Sequence, residues 1–137
     1  MSGFSRVPGS EGPRREFKIT WGLRAGYGSA GRIYDLEEAV RATHRWMQER
    51  DARGAPFLSG MFTRGEVVYA SDIASVHARE PVAIFAGEVL PLDARDLDDA
   101  TVHSLLDELA GEIGAVLEQE EVHIAYRDQT WTLKRGP

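Results

Sequence analysis

The chain has 137 residues, 42% hydrophobic and 28% charged, a composition that fits one globular domain and excludes a disordered chain. Sixteen basic residues against 22 acidic ones leave a formal charge of -6, which argues against the broad basic surface that nucleic-acid binding needs. No cysteine occurs, so disulfide scaffolds, thiolate metal sites and thiol catalysis are excluded.

Residues 1–16 are rich in Gly, Ser, Pro and Arg, without a 2.0 or 3.6 period, and read as a flexible tail; residues 17–137 read as a single α+β domain. The first 16 residues lack a signal peptide's apolar run of about 7–15 residues. No stretch of about 18 apolar residues occurs either, so a cytoplasmic location and no membrane partner are expected.

Phe17, Ile19, Trp21 and Leu23 alternate with Lys18, Thr20 and Gly22, the pattern of a strand with one apolar face. A glycine-rich loop follows over residues 24–34. Asp35 and Glu38 then make a capping box for a helix whose apolar stripe is Leu36, Ala39, Val40, Thr43 and Met47. Gly54 and Pro56 stop it. Residues 57–62 and 66–70 read as two strand pieces around a turn or bulge at Thr63-Arg64-Gly65, and residues 71–80 as a polar loop.

Residues 81–90 form the most apolar strand. Val82, Ile84 and Ala86 lie on one side and Ala83, Phe85 and Val89 on the other, which predicts an interior strand. Asp98 or Asp99 caps a second helix with the stripe Val102, Leu105, Leu106, Leu109, Ile113, Val116 and Leu117. Gly111 and Gly114 are expected away from that stripe. Val122, Ile124 and Tyr126 mark a further strand, and Trp131 and Leu133 a short terminal one.

This order predicts an α+β, ferredoxin-like βαββαβ plait, an antiparallel sheet with two helices on one face and a short extra C-terminal strand. The element order is similar to that of small trimeric signal-binding proteins such as the PII and CutA groups, though no residue motif matches theirs. Two helices cover one sheet face only, so the apolar second face predicts a homo-oligomer, dimer or trimer.

Charge divides along the chain. Residues 1–64 carry 11 basic and 7 acidic side chains (net +4), whereas residues 65–137 carry 5 and 15 (net -10). Gly26-Tyr27-Gly28-Ser29-Ala30-Gly31 matches GxGxxG, but the helix cap comes only at Asp35, so a dinucleotide fold is rejected. Backbone amides flanked by arginines still suit a small anionic ligand. The expected binding residues are Arg24, Tyr27, Gly28, Ser29, Arg32 and Arg79, near loops 24–34 and 71–80, with Glu120 and Glu121 as neighbours of the arginines.

The histidines show no metal-ligand spacing, and no metal or cofactor is assigned. An enzyme reading rests on His77 as general acid or base, or on Glu88 as a carboxylate interrupting an apolar strand. A third reading is an acidic, inhibitor- or immunity-like module that binds a basic protein through the second helix.

Overall fold

The computed structural model describes residues 2–26, 31–70, 78–93 and 97–137. Its elements run β1 (Glu16–Gly22), α1 (Leu36–Ala52), β2 (Met61–Val68), β3 (Arg79–Glu88), α2 (Asp99–Val116), β4 (Glu121–Tyr126) and β5 (Gln129–Lys134), with a 3-10 turn at Pro91–Asp93. The protein is an α+β fold: one five-stranded antiparallel sheet in the order β2-β3-β1-β4-β5, with two helices. β1 and β3 are interior strands, as their apolar patterns predict. No described helix is long and apolar enough to cross a membrane.

Period-2 alternation fixes which side chains meet the helices. Ile19 stands opposite Phe85 and Ile124, and Trp21 opposite Ala83 and Val122, so these residues share one sheet face. Against that face α1 buries Ala39, Ala42, Thr43 and Trp46, and α2 buries Val102, Leu105, Leu106, Leu109 and Ile113. Trp21 is fully buried there, and its indole N–H donates to the Ala110 carbonyl at 3.0 Å.

The first helix starts where the capping box predicts. Asp35 Oδ1 accepts from the Glu38 amide at 3.1 Å, and Glu38 Oε2 accepts from the Asp35 amide at 3.0 Å. Asp35→Ala is expected to cost about 1 kcal/mol, read as a lower urea midpoint with an unchanged slope.

Three local expectations are corrected. β2 is one continuous strand, with Gly65 paired opposite Val82 rather than in a turn. The ten-residue β3 offers an unbroken ladder, and an edge strand tolerates a glycine inside it. Arg79 and Glu80, expected in the loop, begin β3 and pair with Val68 and Val67. Gly114 is buried rather than outward-facing: a Cβ there would lie 2.9 Å from Val122 Cγ2, so it sits where α2 meets β4. Gly111 opens to solvent as expected.

The other sheet face carries Thr20, Met61, Val67, Val82, Ile84 and Ala86, by the same alternation. Both helices lie across the sheet from it. Val82 is buried, whereas Met61 is 68% exposed.

Candidate functional site

The chain leaves β1 at Gly22 and passes Leu23, whose amide donates to the Pro81 carbonyl at 2.9 Å and whose carbonyl accepts from Tyr34 at 2.7 Å. Ala25 N–H bonds the Arg32 carbonyl at 2.8 Å, so the glycine-rich loop closes on itself at its neck. The turn between α2 and β4 then clamps the loop. Gly26 N–H reaches the Glu118 carbonyl at 3.0 Å, and the Tyr34 hydroxyl donates to Glu118 Oε2 at 2.5 Å. Gln119 Nε2 donates to the Arg24 carbonyl at 2.8 Å.

Beside this clamp lies a cavity of about 370 Å³, within the size range of small-molecule sites. Its wall includes Arg24, Tyr69, Glu80, Gln119, Glu120 and Glu121, and it reaches Thr20 and Val82 on the uncovered sheet face. Tyr69 follows the end of β2 and donates its hydroxyl to Glu80 Oε2 at 3.1 Å. Burial, the Glu80 charge and that hydrogen bond together push the Tyr69 phenol above its ordinary value of 10. At neutral pH the phenol is therefore a fixed donor on the carboxylate.

Gln119 is buried at 8% exposure, and its amide nitrogen bonds two carbonyls, those of Arg24 at 2.8 Å and Leu117 at 2.9 Å. Both carbonyls need donors, which turns the amide oxygen the other way, toward Gly22. A side chain at Gly22 would overlap that oxygen and approach Glu80 Oε1 to 3.1 Å. Glycine suits this position because Gln119 Oε1 occupies its side-chain space and Glu80 Oε1 borders it.

Of the residues expected at the site, the structure places Arg24 on the cavity wall, where its Nη1 also bonds the Gly31 carbonyl at 3.4 Å. Tyr27, Gly28, Ser29 and His77 lie outside the described residues. Arg32 points to α1, pairing with Glu38 at 2.7 Å and lying 4.2 Å over the Tyr34 ring. Arg79 pairs with Glu66 across β2 and β3. Glu120 and Glu121 share the Arg24 cavity, but Arg32 finds a nearer carboxylate within its own loop-to-helix junction. Glu88 stands at the far end of β3, part-exposed and 3.8 Å from Arg14, remote from this cavity.

Tyr69, Glu80 and Gln119 were not among the expected residues. One signal for them is present in the sequence: Gly22 inside an apolar strand marks close approach of other groups.

A larger cavity of about 780 Å³ opens at the opposite end of the sheet, beside Asp99, His103, Tyr126 and Arg127. Asp99, Tyr126 and Arg127 on its wall already satisfy one another, with Arg15 behind them. Asp99 accepts from the Tyr126 hydroxyl at 2.5 Å, Arg15 at 3.1 Å and Arg127 at 3.2 Å. We therefore assign it a structural role, joining α2 to the β4–β5 hairpin. The Tyr126 hydrogen bond, with Arg15 and Arg127, holds the Asp99 carboxyl below its usual value, while burial and Asp99 raise the Tyr126 phenol. The depressed carboxylate stabilises the fold above pH about 4 and loses this contribution on acidification. The raised phenol loses its contribution as pH rises past about 10. Tyr126→Phe is expected to cost about 1 kcal/mol at pH 7 and to flatten both limbs of the stability–pH curve, measured by urea unfolding.

Three of the four acidic side chains of α2, Asp99, Asp107 and Glu108, are similarly engaged. Asp107 accepts from the Trp131 indole at 2.7 Å, and Glu108 from Arg50 at 2.7 Å and Trp46 at 3.2 Å. This leaves less of the helix's charge for a basic protein partner. Among the described residues no group of three or more His, Asp or Glu side chains is placed to hold a metal ion.

Two solved structures share this fold. One is a phage SAM lyase in complex with S-methyl-5'-thioadenosine, with a TM-score of 0.68 and 18% sequence identity, covering 98% of this chain and 97% of that chain. The other is a phage SAM lyase in its apo state, with a TM-score of 0.68, 17% identity and the same coverage. No family model matches the chain, and no curated protein matches it.

Proposed function

We propose that the chain is an enzyme that binds S-adenosylmethionine in the cavity beside Tyr69, Glu80 and Gln119 and releases S-methyl-5'-thioadenosine. The observation that carries this reading is the charge of that cavity, taken with a fold shared end to end with a SAM lyase. Glu80, Glu120 and Glu121 face it against Arg24. Such a wall suits a ligand bearing a sulfonium and an ammonium, with Arg24 complementing its carboxylate. It does not suit the anion expected from the sequence, because Arg32 and Arg79 are paired with Glu38 and Glu66.

A sulfonium carries its own leaving group. When the bond from sulfur to the amino-acid arm breaks, its electron pair goes to sulfur, which departs as a neutral thioether, while the arm's own carboxylate oxygen bonds the carbon that sulfur leaves and closes a lactone. The protein's tasks are then to hold the arm in a reactive shape and to shield it from water. Titration calorimetry with S-methyl-5'-thioadenosine tests the binding step. Saturable binding near one site per chain supports the reading; no heat and no thermal stabilisation contradict it.

We also infer that copies associate through the uncovered sheet face, where Met61, Val67, Val82 and Ile84 form an apolar strip running into the cavity. Light scattering after size exclusion is expected to give a multiple of the chain mass, and Ile84→Glu to reduce it. A wild-type mass of one chain contradicts the association.

A further inference from the structure

Two oxygen acceptors converge on the cavity with no donor of their own. Glu80 uses Oε2 for the Tyr69 hydroxyl, and its Oε1 makes no hydrogen bond among the described residues. Gln119 uses its amide nitrogen twice, and its Oε1 accepts no bond among the described residues either. Gln119 Oε1 fills the side-chain space of Gly22 and Glu80 Oε1 borders it, where the strand leaves its Cα bare. The second of them belongs to a side chain more than nine-tenths buried, whose orientation is fixed by the two carbonyls behind it.

Both oxygens belong to side chains on the cavity wall, where a ligand that donates to them takes the place of solvent. One of the pair is a carboxylate, so the complementary donor is positively charged.

We propose that Glu80 Oε1 and Gln119 Oε1 form an ammonium subsite over Gly22, which selects ligands carrying a primary amine. Resting on the proposed function, this assigns the subsite to the amino group of the amino-acid arm, the part of S-adenosylmethionine that S-methyl-5'-thioadenosine lacks. Glu80 and Gln119 would then discriminate between substrate and product. The arm is held while the carbon–sulfur bond is intact, and the thioether loses this contact once the bond breaks.

The test compares two nucleosides by calorimetry. S-adenosylhomocysteine carries the amine but no sulfonium, and S-methyl-5'-thioadenosine carries neither. Glu80→Gln is expected to weaken S-adenosylhomocysteine roughly five- to tenfold, the loss of about one hydrogen bond, and to leave S-methyl-5'-thioadenosine within about twofold. Equal losses for both compounds, or no loss for either, overturn the subsite.

A second measurement separates the subsite from the enzyme reading. In the wild-type protein, butylammonium is expected to shift the Gly22 amide and the Gln119 side-chain amide resonances saturably, and butanol is not. Failure of both nucleosides to bind, with the butylammonium response intact, removes the adenosyl ligand and keeps the amine site. No saturable butylammonium response removes the amine site itself.

Discussion

Glu80→Gln is expected to lower kcat/KM for S-adenosylmethionine roughly ten- to a hundredfold, with the unfolding midpoint close to that of the wild type. The substitution keeps shape and leaves Oε2's counterpart able to accept from Tyr69, so the β2–β3 end should hold its geometry. What it removes is the negative charge facing a cationic substrate. Hydrogen bonds to a charged partner contribute about 1.5–3 kcal/mol, which converts to this range. Tyr69→Phe acts on the same carboxylate from behind and should produce a smaller loss, because the charge remains. Steady-state kinetics of the two variants decide the order. A larger effect for Tyr69→Phe would move the centre of the site from the carboxylate to the phenol.

Trp21→Ala is expected to cost about 3–5 kcal/mol, a large part of the 5–15 kcal/mol that stabilises an ordinary domain. The indole is fully buried, lies 6.1 Å from the Phe62 ring and satisfies the Ala110 carbonyl inside α2. Its removal leaves a cavity at the junction of β1 and α2 and strips the Ala110 carbonyl of the donor it has besides its helical one. Trp21→Phe keeps most of the packing and should lose about 1 kcal/mol through the missing hydrogen bond. Urea unfolding followed by circular dichroism measures both. Because Gly22 follows directly, the alanine variant should also lose ligand binding before it unfolds completely.

The fold was legible because its determinants are local and periodic. Alternation at Phe17, Ile19 and Trp21, the Asp35–Glu38 capping box and the leucine stripe of α2 each specify an element without knowledge of the rest. The doubly apolar residues 82–86 correctly announced an interior strand. The turn expected at Thr63-Arg64-Gly65 failed because β3 was long enough to pair through it, a fact that resides in the partner strand.

The candidate cavity adjoins the segments that the sequence singled out, but three of the side chains on its wall were not foreseen. The sequence brought the glycine-rich loop, the end of β2 and the α2–β4 turn to one end of the sheet, and the clamp through Glu118 and Gln119 is there. Two of the arginines stand against carboxylates that the loop reading did not pair with them: Arg32 has Glu38 one turn into the helix, and Arg79 has Glu66 across the ladder. Gln119 was overlooked because nothing in a single sequence shows that its two donors are already used.

Chromatography of S-adenosylmethionine incubated with the wild-type protein and with Glu80→Gln tests the central claim most directly. The wild-type protein should release S-methyl-5'-thioadenosine well above the spontaneous rate, in proportion to protein added, while Glu80→Gln falls toward that rate. Wild-type release no faster than spontaneous breakdown would contradict the assignment.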